Sequence, residues 1–330
     1  MIKRLNDIRS KLDVLRQSKT QKGVVTGFNS LDSLYTIKKG SYTFVLGSPT
    51  HGKSEFIFEL LMNRIKDGER SLIYSPETGS VEEILAELIH KFTGKTAYLT
   101  GFNPCTDDEY LKALTVLDWH FLIVDSEEKA YSINELFKMV DDYEEKNKGE
   151  VIDYIMAEPY NEIRHDMTEF GARQDLYIEQ FVGDIRRYCK KRNKHAFISL
   201  HPTSQQPKTD AIGTYYPKPL PREAAGGQAL FRKAMCWLTI WRPPAGLNHN
   251  NGVHGENDLI ISIDKAKPKG VATKGETTIY FDWQKNRYYE EVNGVKMYAF
   301  EHENTVISHD KLIMQPSKHF NEPEDKEIPF

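Results

Sequence analysis

The sequence predicts an α/β protein whose mainly parallel sheet, covered by helices on both faces, ends in an antiparallel extension. Three observations carry that prediction. From residue 42 onward, short apolar runs alternate with helical patterns, the signature of a parallel sheet. A glycine-rich turn joins the first of these strands to the first helix. After Trp237 the helical patterns stop and strand patterns follow one another directly.

Ile2, Leu5, Ile8, Leu12 and Leu15 recur at spacings of three and four, which predicts one amphipathic helix within residues 1–22. A lone helix of that length is marginal in water, so its apolar stripe needs a surface, on its own domain or on a neighbouring subunit. Strands are expected at 42–46, 72–74, 120–124, 154–157 and 196–200, and helices at 55–66, 81–92, 133–145 and 175–192. The extension comprises strands at 237–241, 259–263 and 277–281, with a hairpin around Asn293-Gly294. Residues 202–227 hold five prolines and read as an irregular loop, long enough to imply a function. The motor-sized core thus spans 23–314, and 315–330 reads as an acidic, disordered tail.

With 39% hydrophobic and 28% charged residues, the 330-residue chain has ample length to bury a core. No apolar run approaches the roughly 20 residues of a membrane span, and the opening MIKRLNDIRSK is too polar for a signal peptide. Cys105, Cys189 and Cys236 lie far apart with no CxxC spacing. That excludes a disulfide framework or zinc site and fits a reducing cytoplasm. A net charge of −4 excludes a uniformly basic nucleic-acid coat but leaves room for a local basic lining.

Gly47-Ser48-Pro49-Thr50-His51-Gly52-Lys53-Ser54 matches the phosphate-binding pattern G-x-x-x-x-G-K-[ST] in full. Its glycines let backbone N–H groups turn inward on phosphate oxygens, and the following helix presents its positive end to the same anion. Lys53 is expected to hold the β- and γ-phosphates of ATP, and Ser54 to ligate Mg²⁺. Three acids compete for the second Mg²⁺ position: Asp125 after the apolar run 121–124, Asp153, and Glu158 after 154–157. Glu77, in Ser75-Pro76-Glu77 after the second strand, is placed to orient or deprotonate an attacking water, though an acid there also suits a helix cap.

Thr26-Gly27-Phe28 with Leu31-Asp32, the phosphate loop and Ser75-Pro76-Glu77 together resemble the RecA-like motor domain of DnaB-type replicative helicases, closest to phage members. The resemblance covers about residues 20–290. Glu158-Pro159-Tyr160-Asn161 is similar to the Asp-Pro-Tyr/Trp-Asn segment of phage helicases, with Glu for Asp. In such sheets the metal acid lies on the strand before the sensor strand, which favours Glu158 as the Mg²⁺ ligand. Leu200-His201-Pro202 resembles the turn that carries the γ-phosphate sensor, so His201 takes that role. Lys265-Ala266-Lys267 stands where the family has a Lys-x-Arg that reaches the neighbouring subunit's ATP; Lys267 keeps the charge but lacks the two-point fork of Arg.

The resemblance implies a 5′→3′ helicase working as a homo-hexamer in a bacterial or phage-infected cytoplasm, beginning at the family's linker helix with no collar or primase domain before it. Single-stranded DNA would meet Arg164 and Arg173, then Lys208, Lys218, Arg222, Gly226 and Gly227, with Tyr215 and Tyr216 available for stacking. The tail, ending in Ile328-Pro329-Phe330 after four acids, resembles the acidic tip of bacterial single-stranded-DNA-binding proteins and suggests docking to a polymerase or primase. Two other outputs suit the same residues: a RecA/RadA- or KaiC-like ATPase, or a ring protein that binds ATP and DNA with degenerate hydrolysis.

Overall fold

The computed structural model describes residues 4–17 and 23–300, except 172, 204, 250, 251 and 269. Ile2 and the acidic tail lie outside the described residues. In chain order the elements are α1 Leu5–Gln17, α2 Asn29–Asp32, β1 Ser41–Leu46, α3 Lys53–Met62, β2 Ser71–Tyr74, α4 Val81–Thr93, α5 Asp107–His120, β3 Phe121–Ile123, α6 Ile133–Lys146, β4 Tyr154–Ala157, α7 Gln174–Arg192 and β5 His195–Leu200. They continue as β6 Lys208–Asp210, β7 Gly213–Tyr215, α8 Gly227–Lys233, β8 Cys236–Trp241, β9 Asn248–His249, β10 Gly252–Val253, β11 Asp258–Lys265, β12 Gly275–Asp282, β13 Arg287–Val292 and β14 Val295–Tyr298.

One ten-stranded sheet runs in the order β14-β13-β12-β11-β8-β1-β5-β4-β2-β3. The six strands from β8 to β3 are parallel, and β11 to β14 add antiparallel hairpins at one edge. Every residue of β1 and β5 is buried, as a central parallel strand with helices on both faces requires. Phe56, Ile57 and Leu60 of α3, Leu88 of α4 and Val116 of α5 fill one face. Leu136 and Val140 of α6, with Phe181 and Ile185 of α7, fill the other.

Capping chemistry starts the helices. Ser80 with Glu83, Thr106 with Glu109, and Ser132 with Glu135 each form a reciprocal capping box that satisfies two N-terminal backbone donors. The second of these opens α5, a helix absent from the expectation above. Its apolar residues Ala113, Val116 and Leu117 are few and its exposed Leu111 breaks the stripe, so periodicity is weak where the cap is plain.

Two other expectations change. The helix begun at Lys53 stops at Met62 rather than Lys66, because Asn63 turns its amide onto Thr26 O at 3.0 Å and the chain tightens into a 3-10 turn at Ile65–Asp67. Residues 202–227 are not structureless: β6 and β7 pair as a hairpin, and Pro202 bridges Ala224 at its neck. In α1, Leu5 and Leu12 are 82% and 59% exposed, so those leucines find no cover on their own domain.

Candidate nucleotide site and flanking loops

The carboxyl ends of β1, β2, β4 and β5 lie side by side, where ligands of open parallel sheets bind. Gly47 N donates to Leu200 O at 3.2 Å and Glu158 N to Tyr74 O at 2.9 Å, so the sheet ladder itself sets the phosphate loop beside His201 and Glu158 beside Ser75. The loop closes on Gly52, whose φ of +81° is left-handed and which caps α3. A Cβ at Gly52 would stand 2.6 Å from Tyr288 Oη, so glycine is required by space as well as by conformation.

Lys53 is buried, with Nζ 3.2 Å from Ser48 O and 3.2 Å from His201 Nδ1. Burial lowers its ammonium to about 8, while Glu158 and Glu77 pull it back up. Since an ammonium only donates, His201 Nδ1 is the acceptor, and His201 Nε2 carries the proton and donates to Glu77 Oε2 at 2.8 Å. Burial and the Lys53 charge lower the His201 pKa, which keeps the ring in this neutral tautomer. Lys53, His201 and Glu77 thus form one hydrogen-bonded line from the loop to an exposed carboxylate.

Glu158 lies beneath that line and is buried. Desolvation raises its pKa, opposed by Ser54, Ser75, Lys53 and Ser199 around it. Ser75 Oγ donates to Oε1 at 2.7 Å, whereas Oε2 is buried without a hydrogen-bond partner among the described groups. An orphaned carboxylate oxygen beside the loop serine fits Mg²⁺, which binds through one or two protein oxygens plus phosphates and water. Among the described residues no cluster of three or more His, Cys, Asp or Glu could cage a metal alone. The competing acids sit elsewhere. Asp125 follows the edge strand β3 and caps Glu127 N at 2.9 Å; Asp153 precedes β4 at the opposite end of the sheet and pairs with Lys39 at 2.6 Å.

The remaining residues do not converge on this line. Lys265 pairs with Trp237 at the start of β8, whereas Gly47 lies against Ile240 nearer its end, so the Lys265–Lys267 segment leads away from the chain's own loop. Lys265 Nζ is held by Phe231 O at 2.5 Å and Arg232 O at 2.7 Å, and Lys267 is exposed. Arg164 pairs with Glu135 at 2.8 Å and Arg173 with Asp175 at 2.6 Å. Lys218 is tied to Glu276 and Ser262, while Lys208 and Arg222 are exposed. Gly226, with φ +77°, and Gly227, with φ +58°, form the turn that opens α8.

Sequence reasoning missed Arg242 and Gln205. The Arg242 guanidinium lies 4.6 Å from the Phe281 ring, and its backbone N–H points at His51 Nδ1 from 3.4 Å. Burial and the Lys53 and Arg242 charges hold His51 down at about 4, so this ring is neutral. Gln205 reaches Ser48 of the phosphate loop. Neither contact has a sequence signal, because each depends on a distant segment folding back.

No family model matches the chain. A Twinkle homolog protein, chloroplastic/mitochondrial, of Arabidopsis thaliana is 26% identical over 199 residues, which cover 56% of this chain and 26% of that protein. The chain therefore corresponds to about a quarter of that relative's length. Among solved structures, the ATPase domain of G40P superposes with a TM-score of 0.68 at 14% identity, over 88% of this chain and all of that one. A DnaB-like replicative helicase, described with its interactions with primase, gives 0.67 at 15% identity, over 85% of this chain and 66% of the other. The chain accordingly shares its fold with the ATPase domain of G40P and with that DnaB-like replicative helicase.

Proposed function

We propose that this chain is the ATP-hydrolysing motor of a replicative DNA helicase that moves on single-stranded DNA. The observation that carries the reading is the Lys53–His201–Glu77 line beside the phosphate loop, above the orphaned oxygen of Glu158. The residues 47–54 would wrap the phosphates of ATP, with Lys53 supplying the point charge. Ser54 and Glu158 would hold Mg²⁺, which neutralises phosphate charge when bound. Glu77, exposed at the end of the line, is the base that orients and deprotonates water; His201 holds its carboxylate by the Nε2 proton. Glu158 is one methylene longer than the usual Asp, and it is buried.

Ring assembly belongs to the same reading. Lys267, exposed and led away from its own loop, suits a role at a neighbouring subunit's nucleotide, and the exposed leucines of α1 suit docking on that neighbour. DNA would lie along the hairpin β6–β7 and the exposed Lys208 and Arg222. Polarity 5′→3′, six subunits, and polymerase or primase docking through the tail are parts of the proposal. None of the helices described is long and apolar enough to cross a membrane.

Steady-state ATPase with and without single-stranded DNA, followed by strand displacement on a forked duplex, tests it. Hydrolysis stimulated by single strands, with displacement, is expected. Stimulated hydrolysis without displacement would make the chain a recombinase- or KaiC-like ATPase instead, and absent hydrolysis would leave only a nucleotide-binding ring protein.

A further inference from the structure

We infer that Gln205 is a positioning residue that ties the phosphate loop to the hairpin β6–β7, so that nucleotide in the loop is felt at the hairpin. The inference rests on the nucleotide reading above.

The hairpin is carried on a bonded neck rather than a slack loop. Thr203 N donates to Glu223 O at 2.7 Å and Ala225 N to His201 O at 2.8 Å, so both ends of the 203–223 excursion are fixed at the end of β5. Above the neck, a second set of bonds holds its returning limb. Trp241 Nε1 donates to Tyr216 O at 2.9 Å, Gln205 Nε2 to Pro217 O, and Lys218 is bound to Ser262 and Glu276. From that root β6 and β7 project, exposed along most of their length and joined by the Thr209 and Thr214 hydroxyls at 2.9 Å.

Gln205 is the member of this root that also touches the phosphate loop: Ser48 Oγ lies 2.5 Å from Gln205 Oε1. Chemistry fixes the orientation of the amide. The Pro217 carbonyl can only accept, so the amide nitrogen must face it, which leaves Oε1 for the Ser48 hydroxyl to donate to. The result is a directed relay from Ser48 through Gln205 to Pro217. Ser48 is fully buried, so its hydroxyl has no water to turn to if Gln205 departs. The backbone of residue 48 belongs to the segment that must close on phosphates, and any shift there either drags Gln205 along or breaks the relay. Either event changes the root of the hairpin. Side chains of Ala or Glu at 205 would remove that linkage in different ways: Ala lacks both contacts, whereas Glu keeps an acceptor for Ser48 but opposes a carboxylate to the Pro217 carbonyl.

Hydrogen exchange on the full chain, with and without a non-hydrolysable ATP analogue and Mg²⁺, tests the relay without requiring DNA. In the wild type, nucleotide is expected to change exchange at 47–54 and, by about fivefold or more, at 206–220. Gln205→Ala and Gln205→Glu should keep the response at 47–54 and cut that at 206–220 below about twofold. A full response at 206–220 in Gln205→Glu overturns the relay, and this near-isosteric variant decides the matter if Gln205→Ala fails to fold. If the wild type responds at 47–54 and not at 206–220, the relay alone is wrong. No response at 47–54 in the wild type sinks the nucleotide reading itself.

Discussion

The nucleotide end of the sheet and the loops beside it are built from the same kinds of residue, yet they are held by opposite physics. Lys53 and Glu158 are almost fully buried, each with its contacts set by strand ladders that run through the core. Arg164 and Arg173 are exposed and paired with acids on the same surface, and exposed pairs of that kind contribute little. A buried charge without its partner costs far more than an exposed one, so the first region must be pre-formed and the second can be remade when a ligand arrives. On the proposed function, the difference places rigidity where phosphate chemistry would tolerate little misplacement, and leaves remakeable surface pairs where a moving strand would have to be released.

The largest expected effect breaks the buried side. Lys53→Ala should lower ATP turnover by about 10³-fold or more, since it removes the one buried cation donated by the loop. Turnover within tenfold of wild type in a steady-state assay would refute a pre-formed phosphate site. Glu77→Gln separates chemistry from binding on the same line: hydrolysis should fall by about 10²- to 10⁴-fold. Nucleotide affinity, measured by calorimetry, should stay close to wild type. Loss of binding instead would make Glu77 structural.

On the exposed side, replacing Lys208, Arg222 and Arg164 together by Ala should weaken single-strand affinity and flatten its log–log salt dependence by about two. Fold and basal ATPase should be kept. An unchanged slope would move the DNA contacts to other residues.

The smallest effect on function, and one read in stability instead, concerns the packing at the far end of the sheet from the site. His195, buried at the start of β5, has Nδ1 2.7 Å from Lys38 O and Nε2 3.1 Å from Thr43 Oγ1. Burial lowers its pKa from 6.5 to about 4. The unfolded chain therefore takes up a proton first as pH falls. The stabilisation is complete above about pH 6.5 and gone near pH 4, a loss of about 3 kcal/mol at most. Urea unfolding of wild type and His195→Gln at pH 7 and pH 4.5 measures it: the gap between the two pH values should narrow in the variant. An equal gap would assign the acid sensitivity to other groups.

Much of this was legible beforehand because it rests on local chemistry. The phosphate loop needs its glycines and Lys53 at fixed spacing, and β1, β2, β4 and β5 are short runs with no other way to bury their side chains, so motif and strands appear in the sequence directly. The amphipathic α6, where Leu136 and Val140 meet the sheet, is equally plain. The helix α5 was missed for a local reason, since Thr106 and Glu109 write its start clearly while its stripe is weak. What only the tertiary structure decided is which distant groups meet. The sheet order seats β4 between β2 and β5, and that sets Ser75 against Glu158 while Asp125 and Asp153 lie elsewhere. The tautomer of His201 follows from Lys53 arriving on one side and Glu77 on the other, from segments 148 and 124 residues away. The contact of Gln205 with Ser48 follows from a loop folding back over its own strand. Residue type and spacing fix what a segment can do by itself; a hydrogen bond between segments needs both positions at once, and those are set by how the whole sheet packs.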